Sequence, residues 1–280
     1  MPGSYHEAID SRSLLMDLPN IGLGTFRLEG AQAIASVSAA LETGYCLIDT
    51  AQMYHNETEV GKAIAASNIA RSEIFVTTKI WPDNFTRLVD SLKESLTRLK
   101  MDQVELTLLH WPAPGNGVPL ADTLGALMDA KAAGLTQQIG VSNFNIALMQ
   151  QAIAIAGPGS IATNQVELSP YLQNRKVAAF AKAQGIRITS YMTLARGEVM
   201  RDAVLQKIAK RLGATLAQVA LAWAMQLGIT VIPSSTRREN LESNFAAREL
   251  TLNDDDMAQI AGLERNGRLV DPDGLKPIWD

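Results

Sequence analysis

Short apolar runs alternate with stretches of helical period from Asn20 to the C-terminus. The runs at 21–24, 46–49, 74–79, 104–110, 138–141, 161–165, 186–191 and 230–233 are too short for helices and show little polar alternation, which predicts strands covered on both faces. Helical spacing covers 31–43, 86–99, 120–133, 146–156 and 175–184, and several of these stretches run into a glycine (Gly44, Gly134, Gly185) suited to a left-handed helix end. Eight such strand-and-helix units predict a parallel sheet closed as a (β/α)8 TIM barrel. Segments 201–212 and 216–227 both fall between the seventh and eighth strands, so one is read as an extra helix. A further helix starts after Asn253, and the Pro- and Gly-bearing tail beyond it is expected to fold over the active-site face.

The competing architecture is an open, doubly wound dinucleotide-binding sheet. Gly22-Leu23-Gly24 argues against it, because the third glycine is missing and no helix follows at once. Residues 16–280 are therefore read as one barrel domain. Residues 1–15 are polar and irregular, and are either an extension or a hairpin closing the barrel floor.

Composition narrows the function classes. With 280 residues, 47% of them hydrophobic, the chain can bury a large core. A net charge of −4 and a pI near 5.5 argue against nucleic acid or an anionic membrane as the main partner. Cys46 has no cysteine to pair with, and no Cys/His grouping has metal-ligand spacing. No apolar run reaches membrane-span length and no secretory leader is signalled, so the expectation is a cytoplasmic protein acting on a small molecule without a metal.

In such barrels chemistry sits at the carboxyl ends of the strands. Asp49 ends the second predicted strand and Tyr54 follows on its loop; Lys79 ends the third and His110 the fourth. Taken singly, Asp49 reads as a helix cap, Tyr54 as a loop aromatic, Lys79 as a snorkelling or ion-paired lysine, and His110 as a semi-buried histidine. Taken jointly, they form a proton-delivery device at one barrel face. A buried ammonium at Lys79 is expected to lower the Tyr54 pKa, with Asp49 holding the ammonium and His110 bonding a substrate oxygen. A Schiff-base role for Lys79 is poorer, because Asp49 would keep it charged.

Later strand ends supply groups for a planar redox cofactor. Ser142, Asn143 and Gln165 can bond a carboxamide, and Tyr191 offers a ring for stacking. After the eighth strand, Ser234, Ser235, Thr236, Arg237, Arg238 and Asn240 gather hydroxyls and guanidiniums at a helix start. That cluster reads equally as a phosphate site or as a solvated helix cap.

The ordered stretches Gly24-Thr25-Phe26, Asp49-Thr50-Ala51-Gln52-Met53-Tyr54, Thr78-Lys79-Ile80-Trp81, His110-Trp111-Pro112, Val141-Ser142-Asn143-Phe144 and Asn164-Gln165-Val166-Glu167 resemble the aldo-keto reductase superfamily over residues 16–280. The resemblance implies a monomer and NADPH-dependent reduction of aldehydes and ketones, with Tyr54 as general acid, Lys79 and Asp49 tuning it and His110 orienting the carbonyl. It assigns Gly24, Thr25, Asp49, Ser142, Asn143, Gln165 and Tyr191 to the nicotinamide half, and Met192 and Leu194 to the pyrophosphate loop. Ser234, Ser235, Thr236, Arg237, Asn240 and Asn244 go to the adenosine phosphate. Where many members carry Lys-Ser and a later Arg, this chain has Ser234-Ser235 and Asn240, leaving Arg237 and Arg238 as partners for a 2′-phosphate. Phe26, Tyr54, Trp81, His110, Trp111 and Trp279, with Met53, are the pocket-wall candidates. The carbonyls implied are methylglyoxal, giving acetol, and 2,5-diketo-D-gluconate, giving 2-keto-L-gulonate. The alternative is an NADPH-binding sensor or regulatory barrel without turnover, since fold does not fix function.

Overall fold

The computed structural model describes residues 18–113, 115 and 117–280. The two readings of residues 1–15 lie outside the described residues. Eight parallel strands pair in chain order: β1 (Leu23–Gly24), β2 (Leu47–Asp49), β3 (Phe75–Ile80), β4 (Val104–Leu109), β5 (Thr136–Ser142), β6 (Ile161–Glu167), β7 (Arg187–Tyr191) and β8 (Thr230–Val231). A parallel bridge between Ile21 and Val231 joins the two ends of the sheet, supported by bonds from Gly22 N–H to Val231 O (2.8 Å) and from Val231 N–H to Asn20 O (2.9 Å). The fold is the expected (β/α)8 barrel. At the seam the backbones approach so closely that a Cβ on Gly24 would fall 2.6 Å from Ile232 O, so glycine is required there.

The helices are α1 (Gly30–Thr43), α2 (Glu57–Ala65), α3 (Leu88–Leu99), α4 (Leu120–Ala132), α5 (Ile146–Ala156), α6 (Arg175–Ala183), α7 (Ala203–Leu212), α8 (Leu216–Gln226), α9 (Arg238–Ala246) and α10 (Asp254–Ala261). Gly44 ends α1 at φ 110°, donating its N–H to Ala40 and Leu41 carbonyls. α7 and α8 both lie between β7 and β8, so the extra helix is present. α7 starts at Ala203 rather than 201, because the Asp202 carboxylate accepts from the Val204 and Leu205 N–H groups and sets the first turn. The predicted start at 86 also moves, to Leu88, since the 3-10 turn Pro82–Arg87 intervenes. Among the described residues, no helix is long and apolar enough to cross a membrane.

The two-residue period of the strands aims the chemistry. Leu47, Phe75, Leu106, Leu108 and Ile232 form a small core of their own, apart from the larger cluster that includes Ile48, Val76 and Leu109 and packs the strands against the helices. Counting in twos from that small core reaches Asp49 on β2, Thr77 and Lys79 on β3, and His110 just beyond β4. The same alternation that buries Leu47, Phe75 and Leu108 therefore sends a carboxylate, an ammonium and an imidazole into the barrel mouth.

Candidate active site

Lys79 Nζ lies 2.5 Å from Asp49 Oδ1, 2.8 Å from Thr50 O and 3.4 Å from Tyr54 Oη. Lys79 is 0% and Asp49 2% solvent-exposed, so the pair sits out of water, where removing either partner would strand a charge. The other Asp49 oxygen, Oδ2, accepts from Gln165 Nε2 at 2.7 Å. Asp49 therefore caps no helix.

Tyr54 closes the 3-10 turn Gln52–Tyr54 and is flanked by two rings. Its ring lies 5.1 Å from that of Phe26 and 5.6 Å from His110, edge-on to the latter. Burial, and secondarily the Asp49 charge, push the Tyr54 phenol well above its ordinary value. Burial also lowers the Lys79 ammonium, against the opposing pull of Asp49 and Glu57. This corrects the expectation that Lys79 depresses the phenol. The ammonium is closer to the carboxylate than to the phenol, so in the resting site Tyr54 keeps its proton, as a proton donor must.

Burial and the Lys79 charge hold His110 well below its ordinary value, which leaves the imidazole neutral at pH 7. Its Nδ1 is buried without a hydrogen bond to the protein. Trp81 stands edge-on to the ring at 5.2 Å. Asn143 fixes the backbone there, its Nδ2 donating to His110 O at 3.1 Å.

A cleft of about 790 Å³ opens above these groups. One end is walled by Phe26, Met53, Tyr54, Trp81, His110 and Trp111, the middle by Ser142, Asn143, Gln165 and Tyr191, and the other end by Ser234, Ser235, Thr236, Arg237 and Asn240. In the middle, Ser142 Oγ donates to Gln165 O (2.8 Å) and Tyr191 Oη to Asn143 Oδ1 (2.7 Å). Asn143 adopts φ 62°, a left-handed conformation that asparagine tolerates better than most residues.

A family model described as the aldo/keto reductase family matches residues 20–265. The chain belongs to the aldo/keto reductase family. It is 57% identical over 267 residues to methylglyoxal reductase DkgB of Salmonella typhimurium, covering 95% of this chain and 100% of that protein. It is 42% identical over 255 residues to 2,5-diketo-D-gluconic acid reductase B of a Corynebacterium species, covering 90% and 91%. A crystal structure of an aldo-keto reductase enzyme from a Medee basin deep-sea metagenome library superposes with a TM-score of 0.85 at 34% identity, covering 92% of this chain and 96% of that one.

Within this aldo/keto reductase, the structure brings most of the sequence-derived candidates to one cleft. Gly24, Met192 and Leu194 line it alongside those already named. Thr25 is fully buried behind the wall and donates through Oγ1 to Asp49 O at 3.0 Å. Asn244 is likewise buried and outside the lining. Trp279 stays off the cleft, stacked under the Arg268 guanidinium at 3.7 Å and bonded to Asp271. Arg238 is turned away too, pairing with Glu42 at 2.6 Å and Glu242 at 2.9 Å, so of these two arginines it is Arg237 that lines the cleft.

Several wall residues went unnoticed in the sequence. Arg27 and Leu28 follow β1, Arg196, Gly197 and Met200 follow β7, and Val270, Pro272 and Leu275 come from the tail. The tail is fastened by Glu167 at the end of β6, whose buried carboxylate accepts from the Leu269 and Val270 N–H groups, each at 2.8 Å. Burial raises its pKa, with the two backbone donors opposing. The one available signal was a glutamate closing an apolar strand.

Proposed function

We propose that this protein is an NADPH-dependent reductase of aldehydes and ketones, with methylglyoxal and 2,5-diketo-D-gluconate as its carbonyls. The observation that carries the reading is the Asp49–Lys79–Tyr54 chain meeting a neutral His110 at the aromatic end of the cleft. Tyr54 gives its proton to the carbonyl oxygen while the oxygen is held by a hydrogen bond from His110. The phenolate left behind faces the Lys79 ammonium, which Asp49 and the Thr50 carbonyl keep in place. Phe26, Trp81 and Trp111 exclude water around the reacting group. A sensor without turnover would have no use for this buried charge pair, which costs solvation to maintain.

NADPH would supply the hydride to the carbonyl carbon. The cleft fits such a cofactor, because its donors and acceptors follow the order the molecule needs. Ser142, Asn143 and Gln165 would take the carboxamide and Tyr191 the ring face, with Gly24, Thr25 and Asp49 beneath. Met192 and Leu194 would border the pyrophosphate, and Ser234, Ser235, Thr236, Arg237, Asn240 and Asn244 the adenosine phosphate. No side chain caps the first turn of α9, which leaves that helix start open to an anion.

The substrate assignment rests on the names carried by the two relatives and on the small aromatic-walled end of the cleft. A monomer in the cytoplasm is the proposed setting, supported by the family resemblance and by the single cysteine, Cys46, which has no partner for a disulfide. The test is NADPH oxidation with each carbonyl, for the wild type and for Tyr54→Phe. The variant keeps the ring and loses the donor, so kcat/KM should drop about 10²- to 10⁴-fold while NADPH still quenches protein fluorescence. Equal turnover by the variant would overturn the mechanism.

A further inference from the structure

Gln52 opens the turn that carries Tyr54 and is buried behind the cleft wall without lining it. Its Nε2 donates to Ser91 Oγ (2.5 Å), Ser95 Oγ (3.0 Å) and Ser91 O (3.1 Å), all on α3. Its Oε1 accepts from the Trp81 backbone N–H and from Asn84 Nδ2, each at 3.0 Å. The amide's orientation follows from this, since a backbone N–H can only meet an oxygen.

The rings of Tyr54 and Trp81 flank the His110 imidazole, both edge-on, at 5.6 and 5.2 Å. One buried side chain thus spans the elements that carry the proton donor and the opposing wall. The turn is fastened independently on its other side. Asn56 Nδ2 donates to the Thr25 and Leu28 carbonyls, and the Glu57 carboxylate accepts from Thr78 Oγ1 and Arg98 Nε. Those bonds hold the segment to β3, α3 and the loop after β1, and among the described residues only Gln52 joins it by a hydrogen bond to Trp81.

We propose that Gln52 is a positioning residue that sets the gap between Tyr54 and Trp81 around His110, and so selects carbonyls by the bulk of the group beside the C=O. The inference rests on the reductase reading above and deepens it. Losing the Gln52 oxygen leaves the Trp81 N–H without its acceptor, so the loop must move to find another, and the wall moves with it.

The experiment compares methylglyoxal with phenylglyoxal, which carries the same reacting group beside a larger substituent. Gln52→Met keeps length and removes every polar function. It should change the ratio of the two kcat/KM values about tenfold, with NADPH affinity held within about twofold. Gln52→Glu retains the acceptor for Trp81 and Asn84 and should keep the ratio near that of the wild type. Ser95→Ala loosens the α3 side alone and should lower the thermal midpoint without moving the ratio. Should Gln52→Met not fold, Gln52→Asn, whose amide is one methylene too short to reach both sides, gives the same readout. Equal losses for both substrates, or an equal ratio change in Ser95→Ala, would overturn the proposal. If the wild type reduces neither compound with NADPH, the reductase reading itself fails; if it reduces both and the ratio stays fixed in Gln52→Met, only the role of Gln52 fails.

Discussion

The two ends of the cleft are built by opposite means. At the end proposed to deliver the proton, Asp49, Lys79 and His110 are buried, the Asp49 and Lys79 charges answer one another, and the turn bearing Tyr54 is fastened by Gln52, Asn56 and Glu57. At the end proposed for the phosphates, the Arg237 side chain is largely exposed and, among the described residues, makes one loose ion pair, at 3.4 Å, with Glu239. The loop after β7 there places Met192, Ala195 and Arg196 at positive φ, a conformation that costs non-glycine residues free energy. A proton donor must be in place before its substrate arrives, whereas the site of a long, charged cofactor must open to admit and release it. Buried fastening is concentrated at the end proposed for proton delivery and exposure at the end proposed for the phosphates, whereas positive φ occurs at both, at Arg27 and His55 as well as at Met192, Ala195 and Arg196.

The largest break in this comparison should come from Lys79→Met. It strands the Asp49 carboxylate in the barrel and should lower unfolding free energy by about 3–5 kcal/mol in chemical denaturation, along with nearly complete loss of turnover. A variant as stable as the wild type would mean that the buried pair is not what stiffens this end. Glu167→Ala comes next. Releasing the tail's two backbone bonds should lower stability by about 1.5–3 kcal/mol and raise KM for the carbonyl through loss of the wall at Val270, Pro272 and Leu275. Unchanged KM would detach the tail from substrate binding.

His110 gives a smaller, pH-dependent effect. Its pKa is depressed in the folded protein, so below the unfolded value near 6.5 the unfolded chain binds a proton that the native state refuses. Its contribution is complete above that value and is lost as pH falls towards the folded pKa, with a slope of at most about 1.4 kcal/mol per pH unit. His110→Gln should flatten this acid limb in melts between pH 7 and 5, and an unaltered limb would place the titrating group elsewhere. The smallest effect is expected of exposed Arg237. Replacing it by Ala should weaken NADPH binding about five- to tenfold with little change for NADH, and equal losses for both would remove it from the 2′-phosphate site.

Much of the barrel was legible because strands covered on both faces leave continuous apolar runs, and because glycines such as Gly44 mark helix ends. Helix α2 escaped notice. It has nine residues, opens with the polar Glu57-Thr58-Glu59, and its apolar stripe is only Val60, Ala63 and Ile64, too short to show a period. Strand ends were blurred wherever the wall residue is polar, as when β6 continues through Glu167 instead of stopping at Gln165. The four groups proposed to react were legible because each ends or follows a strand. The supporting groups were not, since Gln52 and Asn56 look like ordinary loop residues until the burial of their amides is known. Arg196 and Met200 reach the cleft from the kinked 3-10 turn Ala195–Arg201 and Leu275 from the tail, and no period along the chain marks where such segments return.

The barrel seam carries a consequence of its own. β1 and β8 have two residues each, and the rungs between them are few, so amide hydrogen exchange by local opening should start there sooner than between β3 and β4. Gly24 on one side and Ser234 to Arg237 on the other border the same cleft. A ligand lying across them is a stitch over the weakest join, so an occupied cleft should hold the whole barrel shut at the one place where its sheet is least closed by its own backbone.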